Sequence, residues 1–273
     1  MPVTPEIVRA RPSAALRPYV REYVGWWDDT PARICRREPP GDIVPLIINF
    51  GTPVRIYSND ARSAWTDYAS FTTGLYDRHV LVETAPASGG LQVNLTIPGA
   101  RLVLGRPMGE LLNTAVDLSD LLGREAETLA ERLFEEREWQ QRFTIVEREL
   151  GRRVVAAQAP SAAVMHATSR LLETCGRIEV GRLVGEVGVS QKHLIQRFRQ
   201  ELGVTPKVLA RVLRFGRAVE QMKLGRDRLL DVALECGYYD QAHFDRDFRE
   251  FAGVTPTEFA QVNFVQDGAA ADR

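Results

Sequence analysis

The chain has 273 residues, enough for one large or two ordinary domains. Its 44% hydrophobic and 26% charged residues are those of a soluble globular protein, and a formal net charge of −1 rules out a globally basic binder of nucleic acid, so any basic surface is local. Three scattered cysteines (Cys35, Cys175, Cys236), none in a C-x-x-C, argue against a disulfide framework and fit reduced thiols in the cytoplasm. The first residues, MPVTPEIVRARP, have no apolar stretch of signal-peptide type, and no apolar run approaches the ~20 residues of a membrane span, so neither a signal peptide nor a membrane partner is expected.

Residues 40–105 read as strands. IVPLIINF (43–50), VRIY (54–57), ASFTTG (69–74), HVLVE (79–83) and LQVNLTI (91–97) are short and β-branched, with PPG, GTP, SND, ASGG and IPG as punctuation. That spacing suggests a small barrel or sandwich. From Leu118 the texture changes to apolar residues at three-to-four spacing among dense charge, which predicts two amphipathic helices, about 118–136 and 137–154. AAQAPSA (156–162) is the candidate linker. The rest, to about 264, holds no convincing strand, and the tail DGAAADR is expected to fray.

The second half repeats itself. At an offset of 50, His193 matches His243, Phe198 matches Phe248, Arg199 matches Arg249, and Gly203-Val204-Thr205-Pro206 matches Gly253-Val254-Thr255-Pro256. Upstream the offset is 49, pairing Gly188 with Gly237, so the second copy has one extra residue that belongs in a turn. Each copy predicts a short helix (about 180–187; about 229–236) ending at a Gly. A second helix opens on Ser190 or Asp240 as N-cap, and buries Leu194, Phe198 and Leu202, or Phe244, Phe248 and Phe251. Gly then stops that helix, and Thr-Pro starts the next one, about 206–224 in the first copy. Helix, short turn, helix is the geometry of a major-groove reader. Between 190 and 217, Lys192, Arg197, Arg199, Lys207, Arg211, Arg214 and Arg217 face only Glu201, a local +6 that suits phosphates. From 240 to 258, Asp240, Asp245, Asp247, Glu250 and Glu258 outnumber Arg246 and Arg249, a local −3. The second copy is therefore expected to bind more weakly, or chiefly to steady the first.

The stretches VGEVGVSQKHLIQRFRQELGVTPKVLARVLRFGRAVEQM and LLDVALECGYYDQAHFDRDFREFAGVTPTEFAQ resemble the C-terminal DNA-binding domain of AraC-type (AraC/XylS) transcription regulators over about 160–262. The resemblance implies two helix-turn-helix subdomains joined by a linker helix, with recognition helices in successive major-groove segments. LRPYVREYVGWW, PPGDIVPLIINF and LQVNLTIPGARLVLGRP followed by VDLSDLLG resemble, more loosely, the effector domains of some of these regulators. The expected fold is α+β in two domains. Residues 1–155 form an effector or assembly domain (β-rich 1–110, a cupin-like barrel or sandwich, then the helical pair 118–154). Residues 156–162 are a linker, and 163–264 are the all-α DNA-binding domain.

By that resemblance the base-facing positions are Gln191, Lys192, Ile195 and Gln196 with Arg199 for phosphate, and Gln241, Ala242, Asp245 and Arg246 with Arg249 for phosphate. Gln196 stands where the family more usually has Arg, and Arg197 where it has an apolar residue, which leaves the first copy's base reader open. His193 and His243 have a structural reading, packing and local hydrogen bonding. In the front half, Trp26, Trp27, Tyr57, Trp65, Tyr68 and Phe71 are candidates for a small-molecule pocket, with ordinary core as the other reading of each. Adjacent strand residues face opposite sides, so one of Trp26 and Trp27 is expected in the core and the other at a pocket or partner. His79 and Glu83 in HVLVE lack the further ligands a metal needs, and no nucleophile–base pairing is evident, so no enzyme, metal or cofactor is expected. The helical pair must bury Leu122, Leu129, Leu133, Ile145 and Leu150 against its own chain or in a homodimer through 118–154. Expected partners are double-stranded DNA, RNA polymerase and a small-molecule effector. The rival from another class is a helical module that binds a protein such as RNA polymerase without reading bases.

Overall fold

The computed structural model describes residues 6–28, 33–58, 62–84, 88–224 and 228–261. The last residues of the expected DNA-binding region and the tail DGAAADR lie outside them. Among the described residues ten strands make two antiparallel sheets: β1 (Glu6–Ala10), β2 (Val20–Asp28), β3 (Ile34–Glu38), β4 (Ile43–Asn49), β5 (Val54–Tyr57), β6 (Trp65–Tyr68), β7 (Ser70–Thr73), β8 (Val80–Thr84), β9 (Ser88–Thr96) and β10 (Ala115–Asp117). The six-stranded sheet runs β1-β2-β9-β4-β7-β10, and the four-stranded sheet runs β3-β8-β5-β6. Among the described residues no strand pairing joins the two sheets, so the sandwich is realised and the closed barrel is not.

Strand β4 shows why the layers form. Val44, Leu46 and Ile48 are buried on one face while Ile47 points to the other, the period-two alternation of a sheet covered on both sides. Ile47 joins Val54, Ile56, Phe71 and Ala115 in a small core between the sheets. The opposite face carries Tyr23, Leu91, Val93 and Leu95 into the main core. ASGG, read as a turn, instead ends inside a strand: Gly89 and Gly90 stand opposite Trp27 and Trp26 in β9. Side chains at these glycines would collide with the two indole rings, so the glycines make room for the tryptophans.

The segment after β9 is helical, a departure from the strand reading of residues up to 105. Thr96 caps α1 (Ile97–Leu104) by accepting from Gly99 N at 3.1 Å, Pro98 sits in its first turn, and Gly105 ends it at φ +65°. A short 3-10 helix, Met108–Leu111, follows. The first of the two expected helices is broken at Gly123, whose φ of +58° separates α2 (Leu118–Leu122) from α3 (Arg124–Glu135); α4 (Trp139–Ala156) is continuous. Leu129, Leu133 and Leu150 are buried and Leu122 and Ile145 half-buried, all in the main core of this chain. The stripe, expected to pack on its own chain or in a homodimer, packs within the chain.

The helical half comprises α5 (Ala162–Glu173), α6 (Val180–Val187), α7 (Gln191–Leu202), α8 (Pro206–Lys223), α9 (Leu229–Glu235) and α10 (Gln241–Ala252). One continuous core runs from the six-stranded sheet through α4 and α5 to Leu183, Leu194, Phe198, Leu202, Leu209 and Leu213. A second core, built on Phe215, Phe244, Phe248 and Phe251, belongs to α8, α9 and α10. Helix α8 is shared, with Leu209 and Leu213 in the first core and Val212, Phe215, Ala218 and Met222 in the second. Among the described residues no helix is long and apolar enough to cross a membrane.

Candidate nucleic-acid interface

The two helix pairs are punctuated as their sequences require. Helix α6 ends at Gly188 (φ +67°), and Ser190 Oγ caps α7 by accepting from His193 N at 3.3 Å. In the second pair α9 is followed by Gly237 (φ +85°), and Asp240 Oδ1 caps α10 by accepting from His243 N at 2.7 Å. The extra residue lies in the turn: Tyr238 is buried, and Tyr239, 88% exposed, is the surplus. Gly203 (φ +82°) and Gly253 (φ +71°) stop the second helix of each pair. Thr205 then accepts from Val208 N at 3.2 Å, and Thr255 from Glu258 N at 3.2 Å, while Glu258 accepts in return from Thr255 N at 2.7 Å, a capping box.

Capping places the candidate base-reading positions on the first two turns of α7 and α10, with Arg199 and Arg249 on the third. Gln191, Lys192, Gln196 and Arg199 are exposed and Ile195 is half-buried; Gln241, Ala242, Arg246 and Arg249 are exposed and Asp245 is half-buried. The buried face below them is Leu194, Phe198 and Leu202, or Phe244, Phe248 and Phe251, as the spacing predicted. His193 and His243 serve local bonds: His193 Nε2 accepts from Arg197 Nε at 3.4 Å, and His243 Nδ1 accepts from Tyr239 N at 3.5 Å.

The fold redistributes the charge. Arg211 leaves the basic patch to bind Asp247 (2.9 Å) and Glu250 (2.5 Å) across α8 and α10, while its guanidinium stacks over Phe251 at 4.8 Å. These two carboxylates hold its proton more tightly than usual. Arg214 donates to Gly176 O at 3.2 Å and lies 5.6 Å from the Tyr238 ring centroid. Arg197 pairs with Glu201 and Arg217 with Glu220. Among the described residues Lys192, Arg199 and Lys207 in the first unit, and Arg246 and Arg249 in the second, have no carboxylate partner. Asp240 and Glu258 are spent on caps and Asp247 is buried. The contrast of +6 with −3 therefore shrinks to three open cations in one unit, and two beside a half-buried Asp245 in the other. Sequence reasoning missed this because a charge count does not show which groups the fold pairs.

The front-half candidates fall into separate groups. Trp27 lies with Phe50 (5.7 Å) and Trp139 (6.5 Å) over α4; Tyr68 and Phe71 meet at 5.6 Å between the sheets; Tyr57 and Trp65 meet at 6.3 Å on the four-stranded sheet. Tyr57 OH donates to Glu83 at 2.9 Å, Tyr68 OH donates to Ala115 O at 3.1 Å, and Trp65 lies under Arg55 at 4.8 Å. Trp26 is half-buried on the face opposite Trp27. His79 and Glu83, neighbours in HVLVE, go to different places: Glu83 to Tyr57 and Arg33, His79 to Gly253.

Residues 183–261 match the family model described as a helix-turn-helix domain. Over 82 residues the chain is 30% identical to the HTH-type transcriptional activator RhaR of Escherichia coli, a match that covers 30% of this chain and only 29% of that protein. The AraC-type DNA-binding domain protein of Chromobacterium violaceum is similar at 25% identity and TM-score 0.34, covering 36% of this chain and 89% of that one. ToxT of Vibrio cholerae is similar at 10% identity and TM-score 0.48, covering 94% and 97%. The paired caps and the two helix-turn-helix units agree with the match of residues 183–261 to the helix-turn-helix domain.

Proposed function

We propose that the protein is a sequence-specific, DNA-binding transcription regulator of the cytoplasm, whose front half governs how the helical half meets DNA. The observation that carries the reading is the pair of capped helices α7 and α10, each with an exposed N-terminal face and open cations. Lys192 and Arg246 are the donors suited to guanine O6/N7, and Gln191, Gln196 and Gln241 suit adenine N6/N7. Arg199 and Arg249 hold phosphate. An effector or partner at the front half would bias one arrangement of the molecule over another. RNA polymerase is the expected protein partner, and the exposed Leu230 and Leu234, one turn apart on α9, are surface available to it.

The test is selection of binding sites from random duplex DNA by the whole chain at near-physiological salt. The expected product is a motif of two blocks about 10 bp apart. In the selected site, Arg246→Ala costs about 1–3 kcal/mol at one base pair. Binding without enrichment of any motif, lost uniformly as salt rises, would favour a helical module that contacts a protein partner without reading bases.

A further inference from the structure

Both GVTP glycines are touched by the front half, at equivalent points of the repeat. A Cβ on Gly203 would lie 2.5 Å from Met108 O, and one on Gly109 would lie 3.0 Å from Arg199 O, so the 3-10 helix and the end of α7 meet backbone to backbone. A Cβ on Gly253 would lie 2.5 Å from His79 Cε1, so the imidazole lies against the end of α10. The segments that carry these contacts are tied together. Gly74 N donates to Thr114 O at 3.1 Å, Asn113 N donates to Leu75 O at 3.0 Å, Asp77 N donates to Asn113 Oδ1 at 3.0 Å, and Asn113 Nδ2 donates to Asp77 Oδ1 at 2.8 Å. Residues 74–79 follow β7 and residues 107–114 lead into β10, and these two strands pair at the edge of the six-stranded sheet.

The geometry points to this two-segment bridge as a spacing gauge: with α8 it fixes the orientation of α10 relative to α7, and so determines which separation of two DNA blocks the chain accepts. This rests on the DNA-reading function proposed above. The bridge is a positioning device and leaves the reading faces uncovered. It meets each helix at its C-terminal cap, and twelve helical residues put the N-terminal reading turn about 17 Å away. The second unit has its own core and, besides α8, is touched at Gly237 by Arg177, so the His79 contact removes freedom that these two attachments leave at the far end of α10. Two linked readers favour the one separation that their geometry matches, and the preference weakens when the link loosens.

The experiment uses the whole chain, with duplexes carrying the selected blocks at the native spacing and at spacings changed by about half a helical turn (about 5 bp), and a duplex with the first block alone. Wild type should prefer the native spacing. His79→Ala, in a loop, should keep wild-type affinity for the first block while its discrimination between spacings falls about threefold or more. Asp77→Ala, which removes the side-chain tie to Asn113, should act in the same direction. A folded His79→Ala protein with undiminished spacing discrimination would overturn the proposal. If wild type selects no motif, the DNA reading fails separately and the bridge is judged without DNA. Spin labels are then placed at Gln200→Cys and Thr257→Cys, with Cys35 and Cys175 replaced by Ala. Cys236 is left in place, because burial pushes its thiol up to about 11 and keeps it unreactive. A label-to-label distance distribution broadened by His79→Ala supports the bridge; an unchanged distribution overturns it.

Discussion

The two helix-turn-helix units share their punctuation and differ in their cores. In both, a Gly stops the first helix, a side-chain oxygen caps the second, and Gly-Val-Thr-Pro ends it and starts another. The first unit buries Leu183, Leu194, Phe198 and Leu202 in the core that also holds the sheet and α4. The second buries its phenylalanines in a core of its own that holds five in all, where Phe248 meets Phe215 at 4.9 Å and Phe244 and Phe259 at 5.3 Å. The same caps thus serve a unit merged with the rest of the molecule and a unit hung from one helix. Caps are satisfied locally, so they fix the turn while leaving the packing partner to be chosen elsewhere. For a DNA reader this asymmetry supplies one fixed reference helix and one whose orientation can be set.

The largest effect is expected in the second core. Phe248→Ala should cost about 3–5 kcal/mol and open α9 and α10 while the sheet and α7 stay folded, giving two transitions on heating. A single lower transition would merge the two cores into one cooperative unit. A smaller effect separates the two GVTP glycines. Gly203→Ala places a Cβ against a carbonyl oxygen in a left-handed conformation and should cost about 3 kcal/mol. Gly253→Ala meets the far end of a side chain, the His79 ring, which gives more easily than backbone, and should cost about 1 kcal/mol, mostly for the positive φ. Equal losses in urea unfolding would mean that the front half grips both units alike.

The smallest effect lies in the first unit's brace. Arg170 (2.9 Å) and His166 (3.1 Å), both on α5, bond Glu186 of α6 and hold its carboxyl down at about 2. A lowered native value gives stability that is present above the ordinary carboxylate range near pH ~4 and is lost as the pH falls through about 2. Glu186→Gln should therefore lower stability at pH 7 slightly and flatten the acid limb between those values. Urea midpoints at several pH values check this, and an unchanged acid limb would remove Glu186 from the account.

What was legible in the sequence was local. Ser190, Asp240, Thr205 and Thr255 cap where their neighbours predicted, and the one-residue offset surfaced as Tyr239 in a turn. Helix α1 was hidden because T-I-P-G reads as a turn, although Thr as cap with Pro in the first turn is the grammar of GVTP. Gly123 lies inside an unbroken apolar spacing that reads as helix interior, yet it takes a positive φ and ends α2. The charge contrast misled because Arg211 and Asp247 are 36 residues apart and meet only in the fold. His79, weighed as a poor metal ligand, is a contact point on Gly253, a relation no local pattern encodes.

Native-state hydrogen exchange of the whole chain checks whether the second helix-turn-helix unit has a core of its own. Amides of α9 and α10 should open together at lower free energy than those of α6, α7, β2 and β9, which should open as one set. Equal protection in α7 and α10, lost in a single step, would contradict a separate second core and leave no separately orientable second unit.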